Sequence, residues 1–421
     1  MKLSDLREYS QYFGVAEQIL LSATNMVASI VVVKAADVRW FGIYSFIFVL
    51  CTLVSAFLST LLHRQMILLI ASHDEAKRRE VFLATLTLQS AALLFAGFVV
   101  ALVLLLAGNT IESLTLYRQE ITAAAVFVAL YNTYDLCRQY LYVVDRQIYS
   151  FRTTAIYMVT LLSLLLWVFL KSETSSVVTL VYYSISVALL VCLCSNRLCQ
   201  KAVLSARWLG WRYIGTVLSD YFDQGRFRLI GLVVTWLQNQ SMNPFLMWIG
   251  GPLVAGYFSL ARLIVMPMAV VNQGLTASTT PGLRRTFQAK GVHELTRSIR
   301  RLSLMNLVFS CLYIVVLAIG HFSGLFDRFV PEYEQVRWFL LIWIATLLVT
   351  MNRFWIGQYF VVSMQFRFMM YVGICALAVS LTGMIGVGYG LGNVYLALLF
   401  VIVGELVTIA MFVHRRNQKA A

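Results

Sequence analysis

Ionisable and amide side chains recur inside stretches that are otherwise apolar, and their spacing bounds the chemistry they can do. Gln18, Ser22, Asn25 and Ser29 follow intervals of 4, 3 and 4, which places them on one helical face with Glu17 beside it. Tyr131, Asp135, Arg138 and Tyr142 repeat those intervals, and Asp135 with Arg138 forms an i, i+3 pair able to neutralise itself. Arg262 stands between Leu260-Ala261 and Leu263-Ile264, Glu405 between Gly404 and Leu406, and the amide-rich block Gln238-Asn239-Gln240-Ser241 precedes Asn243-Pro244. An ionisable group in hydrocarbon costs roughly 2.5–3.5 kcal/mol on insertion scales, so each is a functional candidate. An arginine fork can hold phosphate oxygens in a bidentate way, amides can bind sugar hydroxyls, and carboxylates can exchange a proton or sodium ion.

Each candidate also has a plainer role. Ser22 and Asn25 either line a cavity or serve as hydrogen-bonding glue between helices. Asp135 and Arg138 are either a structural ion pair or part of a pathway. Arg353 has Thr350 where Arg138 has Asp135, so it is expected to be unpaired. It then either ligates an anion from a water-filled cavity or snorkels to the cytoplasmic headgroups. The amide block either meets sugar hydroxyls or satisfies backbone freed at a helix break. Glu405 either protonates reversibly or is buried as a neutral acid. His63 and Arg64 are expected at the mouth of a span, where they could meet a substrate. The basic segments 63–80 and 277–301 are expected to anchor on lipid headgroups. Arg262, with the deepest placement, is the best single candidate for an anionic group.

The elements that position these residues follow from composition. Of 421 residues, 60% are apolar and only 12% charged, where a soluble domain carries roughly 25% charged residues. Water-soluble enzymes are excluded. The net charge of +14 is scattered between apolar runs, which argues against a nucleic-acid binder. With about 20 apolar residues needed to cross a membrane, the runs predict twelve spans: 12–33, 40–62, 81–107, 121–144, 154–170, 176–195, 225–246, 252–276, 302–320, 338–360, 368–388 and 393–413. The stretch from Arg197 to Arg228 has room for an extra cytoplasmic helix or an earlier start to span seven. Lys and Arg gather at both termini and in 63–80, 197–228 and 277–301, whereas the alternate side receives only Lys34, Arg39, Arg118, Lys171, Arg328 and Arg337. That asymmetry puts both termini in the cytoplasm. Glu17 and Gln18 in the first apolar run, with no small-residue cleavage site, predict that this run is retained as span one. The seven cysteines read as small buried hydrophobes, and Cys192, Cys194 and Cys199 lack the spacing of a metal site.

The chain repeats itself at offsets of 214 to 215: Asn25 falls on Asn239, Gly42 on Gly256, Ser45 on Ser259, Arg138 on Arg353, Phe151 on Phe366 and Arg152 on Arg367. An offset of six spans predicts two parallel six-helix lobes, residues 1–205 and 206–421, around a central cavity. The expected fold is therefore an all-α polytopic membrane protein of two pseudo-symmetric bundles. All five prolines lie in the second half, and Pro244 and Pro267 are expected to kink or break spans seven and eight. Those bends are either static or part of a transport motion.

Ala16-Glu17-Gln18-Ile19-Leu20-Leu21-Ser22-Ala23-Thr24-Asn25 and Phe41-Gly42-Ile43-Tyr44-Ser45 resemble the first two spans of polysaccharide exporters of the MOP (multidrug/oligosaccharidyl-lipid/polysaccharide) superfamily. Arg138-Gln139-Tyr140-Leu141 to Phe151-Arg152 resembles that family's span-four exit. Ala255-Gly256-Tyr257-Phe258-Ser259-Leu260-Ala261-Arg262, with Pro281-Gly282-Leu283 after it, is similar to its span-eight stretch and following loop. The resemblance implies a V-shaped cavity and alternating access, carrying an undecaprenyl-pyrophosphate-linked oligosaccharide to the periplasmic leaflet of a bacterial inner membrane (the Wzx type of flippase). It implies basic cavity residues on the pyrophosphate, with Arg262 matching an arginine that lines the cavity of the lipid II flippase of the same superfamily. That flippase usually has two further spans. Glu17-Gln18 stands where the exporters carry an Asp-Gln pair.

The candidate substrate residues are thus Arg262, Arg353, Arg138, Arg64, Asn25, Asn239 and Gln240, and the candidate ion-coupling residues are Glu17, Asp135 and Glu405. No cofactor is expected beyond a coupling proton or sodium ion. Expected partners are the lipid-linked oligosaccharide, membrane lipids, and a polymerase and glycosyltransferases of O-antigen, capsule or exopolysaccharide assembly. A cation-coupled drug exporter of the same fold is the first rival and would favour acidic groups in an apolar cavity. A membrane polymerase or acyltransferase is the second. It would need a large catalytic loop, and the longest here, about 108–120 and 323–336, are short.

Overall fold

The computed structural model describes residues 3–71, 75–106, 117–144, 146–171, 177–204, 210–330, 332–363 and 365–420. All twelve expected spans are helical there. The first half comprises α1 (Leu3–Ala35), α2 (Val38–Leu58), α3 (Arg64–Ala71), α4 (Glu75–Leu106), α5 (Arg118–Val143), α6 (Gln147–Lys171), α7 (Val177–Ser195) and α8 (Arg197–Leu204). The second comprises α9 (Trp211–Gln240), α10 (Met242–Ile249), α11 (Gly251–Phe322), α12 (Leu325–Phe329), α13 (Tyr333–Val362), α14 (Phe366–Gly390) and α15 (Val394–Ala420). Among the described residues no strand forms, and ten helices are long and apolar enough to cross a membrane. The two expected spans outside that ten are 121–144, which carries Asp135 and Arg138, and 225–246, which is interrupted at Ser241. Within the second, the apolar stretch Leu229–Gln238 is shorter than a full span. Most of the expected 108–120 loop lies outside the described residues.

Two compact units result, residues 1–37 with 47–232 and residues 38–46 with 233–421. In the first, α1 packs on α6, and α7 packs on α5 and α6. In the second, α11 packs on α13, and α14 and α15 pack together. The stretch from Arg197 to Arg228 holds both features allowed for it: the short helix α8, and α9 beginning at Trp211. The basic segment 277–301 is helical rather than a loop. α11 runs through it and breaks at Gly291, whose φ of 73° and ψ of −165° suit glycine alone.

The prolines act differently from one another. Pro244 sits in the first turn of α10, where a missing N–H costs little, and the interruption falls just ahead of it at Ser241. Pro267 was expected to kink or break its helix; it does not break it, and the backbone stays helical through it. Tyr313 donates from its hydroxyl to the carbonyl of Ile264, 2.6 Å away, next to the point where proline removes a ladder donor. Of the cysteines, Cys51, Cys137, Cys192 and Cys199 are buried as expected. Cys194, Cys311 and Cys375 are exposed, since the outer face of a spanning helix needs only to be apolar.

Gly42 and Gly256, matched by the internal repeat, also meet in space. A Cβ on Gly42 would run into the carbonyl of Pro252, and one on Gly256 into the carbonyl of Val38. Two helix starts cross here backbone to backbone, the close approach that small residues permit between membrane helices. Gly42→Ala or Gly256→Ala is expected to destabilise the protein by about 1–3 kcal/mol through overpacking. Thermal unfolding in detergent checks this against Gly97→Ala, where a Cβ meets open space.

Candidate functional site

In the first unit, five elements bring polar side chains into one network. Glu17 on α1 is fully buried. Its Oε1 accepts from Ser150 and Thr154 of α6, each at 2.9 Å, and from Tyr134 of α5 at 3.4 Å. Its Oε2 accepts from Tyr142 at 2.7 Å. Hydroxyl dipoles, with no cation among these partners, hold this carboxylate. Arg138 lies over the Tyr142 ring at 5.9 Å and reaches back to α1, donating to Gln18 Oε1 at 3.3 Å. It also grips Asp135 Oδ1 through Nη2 at 2.7 Å and Nε at 3.2 Å, so the self-neutralising pair forms.

The other oxygen of Asp135 is taken by His63 Nδ1, 2.9 Å away. His63 was expected at a span mouth facing substrate, and instead it is fully buried. A π-helical turn at Ser59–His63 carries it inward. There its Nε2 lies 2.5 Å from Gln89 Oε1 on α4. With oxygens at both nitrogens the ring is satisfied as the imidazolium; turning the Gln89 amide over would satisfy the neutral ring. Arg64, the next residue, is exposed. Asn25 is half-buried, its carbonyl accepting from Ser29 at 3.0 Å.

In the second unit, the expectation of an unpaired Arg353 is corrected. Its Nε lies 2.6 Å from Glu405 Oε2, a close ion contact off the N–H axis rather than an aligned hydrogen bond. The carboxylate missing from its own helix comes from α15, far away in sequence. Gln238 bridges the pair, donating to Glu405 Oε1 at 3.1 Å and accepting from Arg353 Nη1 at 3.5 Å. Glu405 thus does not stand alone: it faces the Arg353 guanidinium. The side chain of Asn239 lies outside the described residues. Asn243 donates to Ser259 at 2.9 Å.

Arg262 differs from the other two arginines. Among the described residues it has no carboxylate partner. Nη1 donates to Gln240 Oε1 at 2.8 Å, and its guanidinium lies 5.5 Å from the centre of the Trp343 ring. Trp343 is held in turn by donation to the Phe258 carbonyl at 3.1 Å. A cation positioned by an amide and an aromatic face keeps its full charge for an anion. The sequence reading missed Gln89, Ser150, Thr154 and Trp343. A lone amide in the span 81–107 and two hydroxyls four residues apart were the available signals.

Removing Arg353 alone (Arg353→Met) leaves Glu405 buried and uncompensated, and is expected to cost about 3–5 kcal/mol, the range for breaking a buried pair. The double variant Arg353→Met/Glu405→Leu is expected to recover most of that. A double variant no more stable than the single one in detergent melts overturns the pairing argument.

No known family's sequence pattern matches the chain, and no curated protein matches it. Solved structures do. A MATE family multidrug transporter of the MOP superfamily in its inward-facing conformation superposes with a TM-score of 0.70, at 14% identity, over 95% of this chain and 94% of that one. The lipid II flippase MurJ in an inward closed conformation gives 0.69 at 11% identity, over 97% and 87%. A MOP superfamily transporter from Pyrococcus furiosus, described as having a binding pocket of reverse polarity, gives 0.64 at 13% identity, over 99% and 96%. Such low identity across nearly whole chains is a likeness of architecture, and on that ground the chain has the fold of the MOP superfamily transporters.

Proposed function

We propose that the protein is a flippase that moves an undecaprenyl-pyrophosphate-linked oligosaccharide across the bacterial cytoplasmic membrane by alternating access, with both termini in the cytoplasm. The observation that carries this reading is Arg262. Arg138 and Arg353 are matched by carboxylates, while Arg262 has none among the described residues and is positioned by Gln240 and Trp343. A pyrophosphate is the lipid-borne anion such a fork suits. The product would feed a polymerase in O-antigen, capsule or exopolysaccharide assembly, with glycosyltransferases upstream. Glu17, a buried carboxylate satisfied by hydroxyls alone, is the group best placed to exchange a proton or sodium ion with the transport cycle. That same feature favours the second reading, a cation-coupled exporter of small molecules.

Vesicles carrying labelled undecaprenyl-pyrophosphate oligosaccharide test both. Arg262→Ala is expected to slow leaflet exchange at least tenfold, since a hydrogen bond to a charged group is worth about 1.5–3 kcal/mol. Undiminished flipping removes Arg262 from the substrate site. Glu17→Gln is expected to abolish any dependence of the rate on a pH or sodium gradient. Gradient-driven efflux of a cationic dye, with no movement of the lipid-linked sugar, selects the exporter instead.

A further inference from the structure

A separate cavity of about 380 Å³ lies wholly within the second unit, between the part of α11 beyond Gly291, α13 and the end of α15. It shares no residue with the Arg262 or Arg353 clusters. Arg300 and Arg416 line it together with Thr296, Ser303 and Trp355 over the apolar Ile299. Among the described residues no carboxylate lines it. The nearby Glu294 pairs with Arg297 instead, at 3.6 Å. Two like charges on one small cavity repel unless an anion lies between them. Trp355, 1% exposed, forms part of the wall. The cavity therefore presents two cations with no counter-charge among its described lining residues.

Size and surroundings narrow the anion. A bare phosphate would fill a small part of the volume, which lies in the range that holds drug-sized ligands. Beside the cavity on the same helix, Leu304, Val308 and Leu312 form an exposed ridge at intervals of four residues, suited to acyl chains. The helix Ala289–Phe322 is long and apolar enough to span. The charge asymmetry assigns this end of it to the cytoplasmic leaflet.

We propose that this cavity binds the phosphodiester headgroup of an anionic phospholipid. Arg300 and Arg416 hold the phosphate, and the acyl chains lie along Leu304, Val308 and Leu312. The site is structural or regulatory and independent of the transported substrate, so its failure and that of the flippase reading are separable.

The full chain in phosphatidylcholine nanodiscs with and without phosphatidylglycerol tests it. Phosphatidylglycerol is expected to raise the Tm of the parent protein. The rise is expected to vanish in Arg300→Gln/Arg416→Gln and to persist in Arg301→Gln, an exposed neighbour with the same charge outside the cavity. Counting retained phosphatidylglycerol by native mass spectrometry on Arg416→Gln alone gives a second readout should the double variant not fold; a severalfold loss is expected. Three results overturn the proposal. One is an undiminished lipid response or retention in these variants, and another is an equal loss in Arg301→Gln. The third is stabilisation by inorganic phosphate in detergent that matches the lipid effect, which makes the occupant a free anion.

Discussion

Charge inside hydrocarbon has to be neutralised or put to use, and that constraint organises this protein. Lipid tails are as apolar as leucine, so burying apolar surface does little to hold spanning helices together. Packing and polar contacts between helices carry more of the task. In the first unit, Glu17, Asp135, Arg138 and His63 tie α1, the turn after α2, α4, α5 and α6 into one network. In the second, Glu405, Arg353 and Gln238 tie α9, α13 and α15. The same contacts that bind helices remove these groups from the pool of free charges.

The repeat-related arginines reach neutrality by different routes. Arg138 finds its carboxylate one turn away on its own helix, so that pair survives any movement of α5 as a body. Arg353 depends on a carboxylate from another helix, so its neutrality requires α13 and α15 to stay together. The two units thus carry one self-contained ion pair and one that depends on packing. Among the described residues, the cation at Arg262 has no carboxylate partner and the carboxylate at Glu17 has hydroxyl partners, one in each unit. Under the proposed function these are the groups left for a substrate anion and a coupling cation.

Much of this was legible in the chain. Apolar runs marked the helices, because a span must be long and greasy whatever its neighbours. The Asp135–Arg138 pair was legible because i, i+3 partners meet on any helix. The glycine pair was flagged by the repeat, although its role as a crossing point appears only when the carbonyls of Val38 and Pro252 are seen against it. His63 was misplaced because the spanning stretch runs on to Ile67 instead of ending at residue 62, which leaves His63 inside it, at a π-helical turn that shifts the regular register. Arg353 was misread because its partner lies in the last span.

The sequence by itself determined that this is a helical membrane protein with a few costly polar groups, since hydropathy, spacing and periodicity are local properties. Tertiary structure decided which of those groups are partners and which are left over. Burial and neutralisation of a charge depend on side chains brought from helices remote in the chain, and only their packing shows that Arg353 is paired and that Arg262, among the described residues, has no carboxylate.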